Sequence, residues 1–323
     1  MNNIDLVYPC HSKDKEVLQL CIKYARKNIK NLNNIYVVSK TKLTDDAIWI
    51  SEDSFPFSFQ DMINKIGNHN RTGWYYAGWI HLLSIIYIPN ILDNVLICDS
   101  DTIFLKPIEF VDTNGNSLLS VSPSDGTPLY YEHMLKLVPG LTPQNNMSGI
   151  CHHILINKEI MKHMIENVEK IHNKKFHDAW IDVTCENYVT HSKDNTNGFI
   201  GNDRHKNGPG RATSYELYFS YAIKYFSNKV RIRPLDHILA YKGFINVKDK
   251  NFRQSEPSRT SKRGQCIIVP ENVEKNTIFN SLIECLEFHI NECKKQNFDA
   301  VTFQNHTREG SGKITGNAHG DKR

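Results

Sequence analysis

The chain has 323 residues, a formal net charge of +4 from 39 basic and 35 acidic side chains, and 40% hydrophobic residues, with aromatics at 10%. That apolar content excludes a disordered chain and is enough for one large α/β domain or two closely packed halves. The basic excess is too slight for the concentrated stripes of a nucleic-acid-binding surface, and it is compatible with a phosphate-bearing small substrate.

From the amino end, Ile4-Asp5-Leu6-Val7-Tyr8 reads as a short buried strand broken at Pro9, followed by a helix with Val17, Leu18, Leu20, Cys21 and Tyr24 on one face. Strands follow at 35–38 and 47–50, so strand, helix and strand alternate as in a parallel α/β layout. An aromatic-rich helix is predicted over 73–87, stopping before Pro89. Asn94-Val95-Leu96-Ile97-Cys98 is then a central strand. Further strands are predicted at 118–121, 154–156 and 230–233, with helices at 158–172, 177–189, 214–226 and 277–295. Residues 192–213, rich in Asn, Gly, Lys and Asp, read as a loop or lid. The stretch 307–323 reads as a fraying tail.

Met1 to Leu6 lacks a basic leader and a long apolar stretch, so no signal peptide is expected. No run of about 18 apolar residues predicts a transmembrane segment. A cytoplasmic protein, bacterial or viral in a host cytoplasm, is the expectation. The eight cysteines form no CxxC pair and read as buried thiols rather than disulfides or a zinc cluster. The glycosylation patterns at Asn70, Asn146 and Asn305 are then coincidental.

The chemistry concentrates in Val95-Leu96-Ile97-Cys98-Asp99-Ser100-Asp101-Thr102-Ile103-Phe104-Leu105-Lys106-Pro107. Two carboxylates one residue apart, at the carboxyl end of a buried strand, stand where open α/β sheets place ligands. They can hold a hard divalent cation, Mn2+ or Mg2+, that bridges to phosphate oxygens. On a nucleoside diphosphate leaving group such an ion stabilises developing negative charge.

This Asp-x-Asp motif, its apolar strand and the Thr-Ile-Phe-Leu-Lys-Pro tail resemble GT-A glycosyltransferases, in a soluble branch distantly similar to glycogenin-like enzymes. The upstream order matches too: a first strand with a polar loop, a second strand, then an Arg-x-Gly-Trp helix. The resemblance covers 4–107 well and the remainder loosely. It implies a GT-A-like (Rossmann-like) α/β fold, a mostly parallel central sheet flanked by helices. A single compact domain is expected, with a donor half at 1–120, an acceptor half at 121–270 and a C-terminal helical segment at 271–306. It also implies that Asp99 contacts donor or metal, that Asp101 is the firmer metal ligand, and that His237 supplies a third. The loop of Tyr8, Pro9, Cys10, His11 and Asp14 resembles a nucleotide-base pocket, although Asp14 can equally cap a helix.

Other residues offer functional and structural readings together. Arg71 can pair with diphosphate and Trp74 can wall the donor site, whereas Tyr76 and Trp79 read as core. Gly149 admits close backbone approach. Of His152 and His153 in a strand, only one can face a site, to contact acceptor or metal. Asp178, Asp182 and Glu186 share a helix face, either solvated or offering one acceptor-activating base, for which Asp182 stands. Glu216, among Tyr and Phe, is the first candidate base, or else a helix-dipole charge. Lys242 can reach a phosphate. The expected enzyme moves a hexosyl or N-acetylhexosaminyl group from a nucleotide-sugar donor, UDP first, to a glycan, protein or small-molecule acceptor, without nucleic acid. A haloacid-dehalogenase-like phosphatase, which also uses Asp-x-Asp, and a non-catalytic glycan-binding protein are the alternatives.

Overall fold

The computed structural model describes residues 3–68, 72–123, 128–144, 147–191, 212, 214–239 and 280–303. Arg71, Lys242, the 192–211 stretch of the expected lid and the 307–323 tail lie outside them, as does the side chain of Glu186.

In chain order come β1 (Ile4–Pro9), α1 (Lys15–Asn28), β2 (Leu32–Ser39), β3 (Ile48–Ser51), α2 (Phe59–Ile66), α3 (Thr72–Tyr87), β4 (Asn94–Cys98), β5 (Thr102–Phe104) and β6 (Ser117–Pro123). Then follow α4 (Pro128–Leu137), β7 (Met147–Ser148), β8 (His153–Asn157), α5 (Lys158–His172), α6 (Phe176–His191), α7 (Ser214–Tyr225), β9 (Val230–Pro234), β10 (His237–Leu239), α8 (Leu282–Lys295) and β11 (Ala300–Thr302).

Among the described residues the central sheet has five strands in the order β3-β2-β1-β4-β8. All pairings are parallel except β4 with β8. The expected α/β architecture with a mostly parallel central sheet is therefore what the chain forms. Alternation along the strands sorts the core into two layers. Val7, Tyr36, Val38, Val95, Ile97, Ile154 and Ile156 face one side, against apolar residues of α3, α5, α6 and α7. Leu6, Tyr8, Ile35, Val37, Leu96, Cys98 and Leu155 face the other, against α1 and α8.

The strand order places a switch beside β1. The chain builds outward through β2 and β3, then returns to lay β4 on the other side of β1. The order reverses between β1 and β4, and open α/β sheets bind ligands outside the carboxyl ends of their strands at such a point. Two smaller sheets, β10-β11-β5 and β7-β6-β9, continue from this end. The boundary expected at residue 120 falls inside β6, and β8, from the second half, belongs to the central sheet.

Candidate active site

β4 delivers the acidic pair to the switch point. The Asp99 N–H donates to the His152 carbonyl at 2.9 Å, and the Asp99 carbonyl accepts from the Thr102 N–H at 3.1 Å. A tight turn thus joins β4 to β5, with Asp101 in it. The Asp101 carbonyl accepts from the Phe303 N–H at 2.9 Å, beyond the end of β11. β11 runs antiparallel to β5 and covers the turn from the carboxyl-terminal side.

The Asp99 carboxylate is held from several directions. His152 Nδ1 lies 2.8 Å from Oδ2, and the Tyr215 hydroxyl donates to Oδ1. His81 Nε2 stands 3.6 Å from Oδ1. The side chain of Asp99 still keeps 27% of its surface exposed. Burial acts to raise its pKa, but the His152 hydrogen bond and charge, with His81 and Tyr215, outweigh it and hold the carboxyl below its ordinary value. Burial likewise acts to lower the His152 imidazole, and the bond and charge of Asp99, with Asp101 behind it, carry it above its ordinary value. Burial pushes His81 down and, with the Asp99 charge, pushes the Tyr215 phenol well up. Tyr215 therefore stays a neutral donor.

His152 reaches Asp99 because its backbone is left-handed, with φ at 60°. The kink sends the two adjacent histidines apart. His153 enters the core, where Nε2 pairs with Ser120 Oγ at 2.9 Å and the ring meets Phe104 and Phe110 edge-on at 5.2 and 5.7 Å. Burial pushes its pKa down to about 3, so it is a neutral core residue and not the partner of a substrate. His237 stands at the same end of the fold, its ring 5.8 Å from that of His152. Burial, and then the neighbouring histidines, hold it well below its ordinary value. Its Nε2 pairs with Thr302 Oγ1 at 2.8 Å, and Thr302 in turn pairs with Thr102 at 2.6 Å.

The other expected residues have settled places. Tyr8 is fully buried, with its hydroxyl 3.4 Å from the Cys21 carbonyl, so it packs the core instead of stacking on a base. Pro9 closes β1 beside Val38. His11 caps a short 3-10 turn, its Nδ1 accepting from the Lys13 N–H at 3.2 Å. Asp14 stands at the N-cap of α1 without a side-chain capping bond. Trp74 opens α3 with 40% of its surface exposed, backed by Tyr75 and Tyr130 at ring distances of 5.0 and 6.3 Å.

Glu216 corrects the first expectation for a base. It is fully buried and accepts from Ser148 Oγ at 2.6 Å, the Gly149 N–H at 2.9 Å and Ser220 Oγ at 3.1 Å. A carboxylate so enclosed braces backbone and is not presented to an acceptor hydroxyl. Asp182 is likewise spent. Burial would raise its pKa, but hydrogen bonds from Lys174 at 2.7 Å and Lys65 at 3.2 Å keep it low and ionised. Lys65 also pairs with Asp178 at 3.0 Å. That helix face is an ion-pair network joining α2 and α6.

Among the described residues no three His, Cys, Asp or Glu side chains are grouped to hold a metal ion. Both Asp99 carboxylate oxygens accept from protein donors, and His237 Nε2 is paired with Thr302 Oγ1. The hard oxygen pair of Asp99 and Asp101 suits instead a cation that arrives with phosphate ligands, since Mg2+ commonly takes one or two carboxylates plus substrate oxygens.

No protein-family model and no curated protein matches the chain. Solved structures give distant likenesses. Mouse xyloside xylosyltransferase 1, in its apo form, is 7% identical over 74% of this chain and 87% of its own, with a TM-score of 0.34. An active-site mutant of LgtC is 12% identical over 93% and 87%, at 0.36. The galactosyltransferase LgtC with donor and acceptor sugar analogs is 13% identical over 94% and 87%, at 0.35. TM-scores this low decide neither fold family nor activity. Among the described residues no helix is long and apolar enough to cross a membrane.

Proposed function

We propose that the chain is a glycosyltransferase that moves a sugar from a nucleoside-diphosphate sugar, a UDP-sugar first, to an acceptor hydroxyl. The observation that carries this reading is the placement of Asp99 and Asp101 at the switch point between the carboxyl ends of β1 and β4. A doubly wound sheet binds nucleotide-like ligands there, and a pair of carboxylates there serves a phosphate-bound cation rather than a bare phosphate. When bound, Mn2+ or Mg2+ would neutralise the diphosphate as it leaves. Asp101 is the residue we assign to that ion, with Asp99 beside it; His237, paired with Thr302, is not assigned to it.

The chain's own part is orientation. The 10–14 loop stands at the end of β1 to meet the nucleoside, and the Asp99–Asp101 turn meets the diphosphate. No base is assigned, because the two carboxylates weighed for it are spent on Ser148 and Gly149 and on Lys65 and Lys174. Phosphatase chemistry of the haloacid-dehalogenase kind needs Asp99 as an unencumbered nucleophile, and the hydrogen bonds from His152 and Tyr215 disfavour it.

A thermal-shift series with UDP and UDP-sugars, with and without Mn2+, tests the reading on wild type and Asp101→Ala. Ligand binding to the native state raises its apparent stability. A Mn2+-dependent rise that disappears in Asp101→Ala is the expected result. No rise with any nucleotide would remove the donor site and leave a glycan-binding role.

A further inference from the structure

Three consecutive residues of α7 reach three different elements of the site. Ser214 Oγ meets His81 Nδ1 of α3 at 3.1 Å. Tyr215 donates to Asp99 at the end of β4. Glu216 takes Ser148 and the Gly149 N–H, in the segment that leads to His152. Asp99, His152, Gly149, Glu216 and Tyr215 thus form a closed circuit, through hydrogen bonds and short runs of backbone. Gly149 lets the circuit close: a Cβ there would stand 2.3 Å from Cβ of Phe219, one turn along α7.

We infer that Tyr215 is a positioning residue, fixing the Asp99 carboxylate in one orientation for the transfer reaction. The inference rests on the glycosyltransferase reading for its catalytic consequence, but not for its geometry. Tyr215 suits the task because it is a neutral donor on a locked ring. The ring stacks on His81 at 5.0 Å with 21° between planes, and the residue before it ties the same His81 from its other nitrogen. A carboxylate torsion about an sp3–sp2 bond is otherwise broad, so Asp99 has no intrinsic reason to hold one angle. With Tyr215 on Oδ1 and His152 on Oδ2, both oxygens are fixed by groups from distant parts of the chain. A site that acts by preorganised charge needs such support.

Tyr215→Phe removes only the hydroxyl and keeps the stacked ring. Crystal structures of wild type and Tyr215→Phe, with kinetics of UDP-glucose, UDP-galactose and UDP-N-acetylglucosamine hydrolysis, test the proposal on the full chain. In the variant the Asp99 carboxylate is expected to rotate or split between orientations. The kcat is expected to fall about tenfold or more while the donor KM moves by less than about threefold, because the lost order acts in the transition state. Asp99 unchanged in Tyr215→Phe overturns the proposal whatever the activity. A change carried by KM overturns it as well, making Tyr215 a donor contact. If the wild type turns over none of these sugars but Asp99 still loses its orientation, the enzymatic reading fails and the positioning role stands.

Discussion

Asp5 and Asp99 are carboxylates on neighbouring strands at opposite ends of one sheet, and they are held in opposite ways. Asp5, in β1, is fully buried. It accepts from the Asn33 amide at 2.9 Å and from the N–H groups of Asn34 and Leu92 at 3.0 and 2.9 Å. Its partners are amides without titration, and its task is to tie the β1, β2 and β4 entries together. Asp99 keeps a quarter of its surface and is surrounded by two histidines and a tyrosine. Amide donors, from backbone and from Asn33, build a permanent clasp. Titratable side chains around a part-exposed carboxylate build a site.

The same substitution at both ends sharpens this contrast. Asp99→Asn is expected to lower nucleotide-sugar turnover about 100-fold or more, the scale of losing a preorganised charge. Its urea stability should fall by about 1.5–3 kcal/mol, since the Tyr215 bond survives but the charge-assisted bond to His152 is lost. Steady-state kinetics and denaturation on one preparation check both halves. Gly149→Ala tests whether the site end also has a structural frame. The contact with Phe219 predicts a loss of about 3 kcal/mol, and a wild-type denaturation midpoint would contradict it. Asp5→Asn leaves an oxygen for Asn33 and Asn34 but turns an amide toward the Leu92 N–H. The expected cost is about 2 kcal/mol, with turnover per folded molecule unchanged. A drop in kcat there would break the distinction between the two ends. Glu216→Gln should have the smallest effect, about 1 kcal/mol in stability and less than about threefold in turnover. A general base would lose about 100-fold or more in the same assay.

Local pattern made the central sheet legible. The apolar runs at 4–8, 35–38, 94–98 and 154–156 correspond to β1, β2, β4 and β8, because buried strands need continuous apolar sequence. α2 was missed although Ser58 and Asp61 announce it: the Ser58 hydroxyl accepts from the Asp61 N–H while the Asp61 carboxylate accepts from the Ser58 N–H. β5, β10 and β11 are too short to carry a period.

The acidic pair of the site was readable from its strand. Its partners were not, since His81, His152 and Tyr215 come together only through the tertiary fold. Adjacent histidines implied that only one faces the site, and the left-handed backbone at His152 decides which. Tyr215 and Glu216 posed the same question on a helix, where neighbours diverge by about 100°. Aromatic surroundings suggested a tuned base at Glu216. They enclose it completely, and the tyrosine beside it is the residue that reaches Asp99.

The turn that carries Asp101 is completed by β11, and the Thr102–Thr302 pair closes a loop of 200 residues. Contacts so distant along the chain come late, because the entropy of closing the loop is lost before the contact returns anything. A polypeptide emerging from the ribosome would therefore display the acidic motif long before the strand that clasps it exists. In pulse-labelled hydrogen exchange during refolding, the N–H groups of Leu105 and Phe303 should be protected after those of β1 and β2. Site assembly would then report that synthesis had passed residue 303, so prematurely ended chains would carry the motif without its clasp.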